Sequence, residues 1–204
     1  MRSTDHTVES EMRHLHLEKK GIRGLAIAES FSPDSKKSIL SGIVMSTDLI
    51  IDGFVLGHST VGGDDATKAI LSMYEKLHRQ DINFLLISGT VISLYNIVNL
   101  KRISEQTQLP VIGVTYGETS RIPSSDSIKY HFPDSYETKL AEYSKLGPRK
   151  KITLHTSHQL YIRNEGCTVL EATQLLDKIT LQGSVPQPLS ITGLLALALL
   201  KAKF

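Results

Sequence analysis

Several short stretches of the chain hold residue types that could do chemistry. Glu29 stands near the far end of an apolar run, GIRGLAIAESF at 21–31. An ionised carboxylate there is costly to bury unless it reaches water, pairs with a base such as Arg23 or Lys68, or binds a metal. Asp64 and Asp65 follow Gly62-Gly63 just ahead of a helical pattern. One carboxylate is enough to cap a helix, so the other is left over for a cation or a substrate. Ser88-Gly89 and Thr115-Tyr116-Gly117 close two further apolar runs, and Asn96, Asn99 and His58 lie near the same junctions. Carboxylates suit a hard cation, and hydroxyls, amides and imidazole suit a bound water, a phosphate or a base edge. Each residue also has a plainer account as a cap, a solvated amide or a strand end.

The elements that must position these residues can be read from periodicity. Residues 22–31, 38–46 and 49–57 read as three strands joined by tight turns at 33–35 and 47–48, hence an antiparallel meander. Ala66, Ala69, Ile70, Met73 and Leu77 recur at helical spacing behind Asp64-Asp65. Residues 82–87 form a short apolar run suited to a buried strand. The spacing then predicts a second helix with Val91, Leu94, Tyr95 and Val98 on one face, and with Asn96 and Asn99, three apart, on one face of the same helix. Residues 111–114 follow Pro110 as another buried strand, so strand, helix, strand implies a right-handed parallel crossover. Ligands of such sheets sit beyond the carboxyl ends of the strands, here Ser88-Gly89 and Thr115-Tyr116-Gly117.

The remainder is read in the same way. Residues 1–20, with His6, His14 and His16, form a polar arm, and 21–204 form a single domain. Residues 118–135 are polar and rich in Ser and Pro, which predicts a long loop at the ligand-facing edge. A short helix is expected at 136–146, a bent strand or hairpin at 151–163, and an amphipathic helix at 168–179 with Val169, Ala172, Leu175, Leu176 and Ile179 inward. In a regular strand His155 and His158 would face opposite ways, which argues against a shared metal ion. A linker at 183–188 leads to a closing helix at 189–203, whose apolar segment suits a core or a dimer face. Cys167 reads as a small buried hydrophobe. Lys36, Lys37, Arg121, Lys129, Arg149, Lys150 and Lys151 are either a phosphate-binding rim or ordinary solvation.

With 204 residues, 40% apolar content and a net charge of +2, the chain is long enough for one sizeable core and is neither disordered nor strongly basic. Its single cysteine excludes an internal disulfide and fits a reducing compartment. There is no signal-peptide pattern, and residues 191–200 are too few to span a bilayer. A cytoplasmic protein with no membrane partner is expected.

The element order, an antiparallel three-strand meander followed by parallel strands with crossover helices, resembles an α/β ribonuclease H-like mixed sheet with a C-terminal helical extension. The blocks IAESF at 27–31, SGIVMSTDLIIDGFVLG at 41–57, GGDDAT at 62–67, GTVISLYNIVNL at 89–100, LPVIGVTYGE at 109–118, LHTSHQLYIR at 154–163 and LQGSVPQPL at 181–189 resemble those of an archaeal family, endonuclease dU. That family was long described as a domain of unknown function and is distantly related to endonuclease V. The resemblance implies a Mg²⁺- or Mn²⁺-dependent endonuclease acting on DNA with deoxyuridine or deoxyinosine, with RNA as a further candidate. It implies metal ligands at Glu29 and Asp65, an auxiliary carboxylate at Asp64, and contacts to water or substrate from Ser88, Gly89, Asn96, Asn99, His58 and Tyr116.

Four positions depart from the family pattern. Ser88 stands where endonuclease V has aspartate, Asn99 where aspartate is usual, Gln187 where the closing motif has the glutamate of Pro-Glu-Pro, and Ser190 where arginine is usual. Each removes a charge. A second expectation therefore stands beside the first: a family member that keeps the fold and acts as a nucleic-acid-binding or assembly module, with the closing helix as a homodimer face.

Overall fold

In the computed structural model, which describes residues 15, 17–19, 21–117 and 125–202, the sheet is built outward from the first strand. β1 (Arg23–Ser30), β2 (Lys37–Ser46) and β3 (Ile51–Thr60) form the expected antiparallel meander. α1 (Ala66–Leu77) carries the chain to β4 (Ile82–Ser88), parallel to β1. Next come β5 (Val91–Ile92), β6 (Asn96–Ile97) and α2 (Leu100–Thr107), then β7 (Val111–Thr115), parallel to β4. α3 (Ser125–His131) and α4 (Tyr136–Lys145) precede the hairpin of β8 (Lys150–Thr153) and β9 (Gln159–Glu165), which adds antiparallel to β7. α5 (Val169–Lys178) and α6 (Gln187–Lys201) close the chain. The seven-stranded sheet runs β3-β2-β1-β4-β7-β9-β8.

Both faces of the central strands are covered, which is why 24–28 and 82–87 read as continuous apolar runs rather than alternating ones. Leu25, Ile27, Leu85 and Ile87 face one core with Ile70, Met73 and Ile103 of α1 and α2. Ala26, Leu86 and Ile112 face the other with Leu175 and Leu176 of α5 and Leu189 of α6. α6 lies across β1 and β2, where a Cβ on Gly193 would be only 4.0 Å from that of Ala28. No helix among the described residues is long and apolar enough to cross a membrane.

Three expectations are corrected. Residues 91–98 are not a helix: Ser93, Leu94 and Tyr95 have φ of 43°, 58° and 61°, and this left-handed run folds β5 back on β6. Of the positions read as one helical face, Val91 and Val98 are buried, Leu94 is exposed, and Tyr95 packs against His131 and Phe132. The loop expected at 118–135 contains α3, while 118–124, with Arg121, lie outside the described residues. His6, His14 and His16 also lie outside them, but Leu15, assigned to a polar arm, is buried against the second core. Two smaller readings shift as well. His155 and His158 sit around a turn with Ser157 at φ 64° rather than in a strand, and His155 meets Asp177. Cys167 is half-buried, and burial first, then Glu171 and Glu165, push its thiol up to about 12.

Gly24 marks the closest packing in the sheet: a Cβ there would lie 1.9 Å from Phe84 Cε2, on a ring that is 2% exposed. Gly24→Ala is expected to cost about 1–3 kcal/mol, because a buried aromatic ring can yield only by disturbing its neighbours. Urea unfolding of the two proteins measures this.

Candidate active site

Glu29 closes β1 on the α1 side of the sheet, since it shares the parity of Leu25 and Ile27. Its carboxylate is met by the β5–β6 turn. Ser93 N donates to Oε1 at 3.3 Å, and Ser93 Oγ lies 3.1 Å from Oε2. Behind it is a buried hydroxyl cluster, with Ser38 Oγ 2.7 Å from both Ser59 Oγ and Ser93 Oγ. Arg23, considered as an ion-pair partner, belongs instead to the opposite end of the strand with Asp52 and Asp81.

Asp65 occupies the N-cap position of α1 but makes no side-chain cap bond. Its carboxylate turns back and accepts from Thr60 N at 2.9 Å, Thr60 Oγ1 at 2.7 Å and Asn96 Nδ2 at 2.7 Å. The cap comes from a distance: Asn96 Oδ1 accepts from Ala66 N at 2.9 Å, and its Nδ2 also donates to Thr60 O at 2.9 Å. Asn96 is fully buried, and these three bonds use its donors and its acceptor. Burial alone would raise the Asp65 pKa, but hydrogen bonds from the Thr60 hydroxyl and backbone and from Asn96 outweigh it and hold the pKa below 3.8.

Asp64 points the other way and is 71% exposed, yet its Oδ1 lies 2.7 Å from Lys139 Nζ, which is 2% exposed. The same ammonium donates to Gly63 O at 3.0 Å and Tyr95 O at 3.3 Å. Three donors thus meet three acceptors, which is how a buried lysine is tolerated. The ammonium also sits 4.6 Å from the centre of the Phe132 ring. Phe132 packs on Gly62, and Tyr95, His131 and Tyr130 continue an aromatic wall with ring centres 5.1–5.9 Å apart. Tyr130 is 83% exposed.

Glu29, Asp64 and Asp65 are therefore brought to one end of the sheet, and one hairpin touches Glu29, Asp65 and the lysine that holds Asp64. The other candidates separate. Alternation in β4 puts Ser88 on the face of Leu86, away from Glu29. Gly89, at φ 90°, donates its N–H to Val114 O. Asn99 is the N-cap of α2, accepting from Arg102 N at 2.9 Å, and does not share a helix face with Asn96. His58 is exposed on the face of β3 opposite Ser59, in an open cavity of about 780 Å³ with Lys36, Lys37 and Lys201. Tyr116 is partly exposed just past β7. Ser93, Thr60 and Lys139 were missed by sequence reasoning. The signal for Lys139 would have been a lone lysine on the otherwise weak inner face of α4.

No group of three or more His, Cys, Asp or Glu among the described residues is placed to hold a metal ion. Asp64 and Asp65 are already engaged by an ammonium and by a set of N–H and O–H donors.

The endonuclease dU family model matches residues 20–200. The UPF0215 protein of Pyrobaculum calidifontis is 27% identical over 172 residues, covering 84% of this chain and 93% of that one. Among solved structures, a protein of unknown function from Archaeoglobus fulgidus is similar with a TM-score of 0.72 at 25% identity, over 87% of this chain and 97% of that chain. Endonuclease V of Ciona intestinalis, in complex with a DNA containing an inosine, is similar with a TM-score of 0.59 at 10% identity, over 92% and 89%. That likeness shows the ribonuclease H-like fold.

Asp65→Asn should lower stability at pH 7. Because the folded pKa of Asp65 is depressed, its contribution is present above 3.8 and is lost as pH falls through the folded value. Urea midpoints of the two proteins should differ at pH 7 and converge as the pH falls below 3.8 and through the lower folded value. Equal midpoints at pH 7 would refute the role given to the carboxylate.

Proposed function

The chain belongs to the endonuclease dU family, and on that premise we propose that it cleaves DNA carrying a deaminated base, deoxyuridine or deoxyinosine, with Mg²⁺ or Mn²⁺. The observation that carries this reading is the gathering of Glu29, Asp64 and Asp65 around the β5–β6 turn beyond the carboxyl end of β1. That is the end at which sheets of this kind receive ligands. Glu29 is the carboxylate best placed to meet a phosphodiester or its attacking water, because the Ser93 amide and hydroxyl hold it at the end of β1. Asp65 and Asn96 keep the start of α1 in register with it. The aromatic wall from Tyr95 to Tyr130 offers an unpaired base a surface on which to stack.

A second reading, binding without cleavage, rests on the incomplete donor set. Ser88 supplies no charge and faces the other way, and Lys139 already neutralises Asp64.

One experiment separates the two. End-labelled DNA with a single deoxyuridine or deoxyinosine is incubated with the protein in Mg²⁺, Mn²⁺ or EDTA. Nicking at the lesion that EDTA abolishes is expected, with Glu29→Gln slowing it roughly 100-fold or more. A gel shift without nicking under any condition would establish the binding protein instead.

A further inference from the structure

β3 is an edge strand, and the middle of its outer edge is open. Val61 N donates to Lys36 O at 3.0 Å, which makes these two a hydrogen-bonded pair at the end of the β2–β3 ladder. In an antiparallel ladder such pairs alternate with pairs whose main-chain groups turn away from the neighbouring strand. Phe54, Leu56 and His58 fall in pairs of the second kind, so their N–H and C=O groups point outward. No main-chain bond among the described residues outside the ladder uses them.

This open stretch is closed off at both ends. Arg79 Nη1 donates to Asp52 O at 3.1 Å, at the bulge that Asp52 forms against Val44 and Met45. Thr60 N and O are taken by Asp65 Oδ1 and Asn96 Nδ2, both at 2.9 Å. Between such limits an edge strand is ordinarily protected by a lysine, a proline or a further bulge. Residues 53–59, GFVLGHS, have none of these. They carry instead Phe54, 60% exposed, and Leu56, 44% exposed. Both project with His58 on the α6 side of the sheet, because they lie opposite Ile43, Ser41 and Ile39, and Ser41 meets Thr192 of α6.

We propose that a second copy of this chain occupies the edge, adding its own β3 antiparallel with the two-fold axis at Leu56. In that register Leu56 stands opposite Leu56 of the second copy, and Phe54 opposite His58. Three residue pairs each exchange two main-chain bonds, so every open group on both strands is used. Phe54 and His58 form a cross-strand ring contact on either side of the leucine pair. A shift of two residues either way would push Asp52 or Thr60, already bonded, into the ladder.

Charge favours the same register. Asp52 falls opposite Thr60 of the second copy, so Arg79, which fills the edge at Asp52, faces Asp65, which fills it at Thr60, and the two-fold repeats the contact. Asp52 and Asp81 are balanced by Arg23 and Arg79. Arg79 spends four N–H groups on them, which leaves one on Nη2 for the second copy. Each copy thereby brings a guanidinium to the edge of the other's candidate site, and the isologous contact closes at two subunits. One strand pair with a short apolar stripe is at the low end of specific interfaces, so micromolar association is expected.

Sedimentation velocity of the full chain without DNA, from low to several hundred micromolar, tests this independently of the proposed cleavage. The wild type should pass from one chain to two across that range. Leu56→Lys, which sets two ammonium groups on the axis, should remain a single chain throughout. In mild oxidant Leu56→Cys should form a disulfide-linked dimer, because Cα atoms opposed in a hydrogen-bonded pair lie about 5.5 Å apart, within disulfide reach. Phe54→Cys, opposite His58, should cross-link no more than the wild type with Cys167 alone. If Leu56→Lys does not fold, the two cysteine variants decide. A wild type that stays a single chain, a Leu56→Lys protein that still pairs, or a Leu56→Cys protein cross-linked no more than Phe54→Cys overturns the proposal.

Discussion

The site depends on one strained turn. Ser93, Leu94 and Tyr95 are three consecutive non-glycine residues in the left-handed region, a conformation that costs about 1–2 kcal/mol for each. The turn persists because its neighbours over-determine it. Ser93 O accepts from Gly62 N at 2.7 Å, the Ser93 side chain and amide meet Glu29, and Asn96 bonds Ala66 N and Asp65 at the start of α1 and Thr60 O at the end of β3. At about 1 kcal/mol net for each hydrogen bond, this set is of the size needed to offset the strain. Polar groups that are buried and fully paired specify one arrangement and penalise others. The hairpin therefore fixes the carboxylates relative to one another more firmly than a loop would.

The same satisfaction sets what the site can do. Asp65 is held ionised, but by donors that leave few lone pairs for anything else. Asp64 already has a cation in Lys139, delivered from α4 and shielded by Phe132. Glu29 is met differently, by the amide and hydroxyl of Ser93. Positive charge is distributed differently. Lys139 meets the Asp64 carboxylate, whereas Arg163, also buried, donates to the Gly147 carbonyl and the Thr90 hydroxyl.

Residue type and spacing by themselves determined a good deal. The three-strand meander, the crossover through α1, the end at which Glu29 and Asp64-Asp65 gather, α5 and the closing helix are all legible, because apolar runs, Gly-rich turns and helical spacing are local properties. The family blocks are legible too. Only the tertiary structure decided the rest. Val91, Leu94, Tyr95 and Val98 have helical spacing, yet long-range bonds to Gly62, Ala66 and Glu29 bend them into a hairpin, and no local pattern encodes partners some 30 to 60 residues away. Asp65 looks like a cap, but Asn96 takes that role, so the carboxylate is free to turn to Thr60. Whether Ser88 could join Glu29 depends on which face of β4 it occupies, and that follows from strand register. Whether Arg163 or Lys139 is balanced depends on which chain segments fold over it, because burial and counter-charge are properties of the assembled fold.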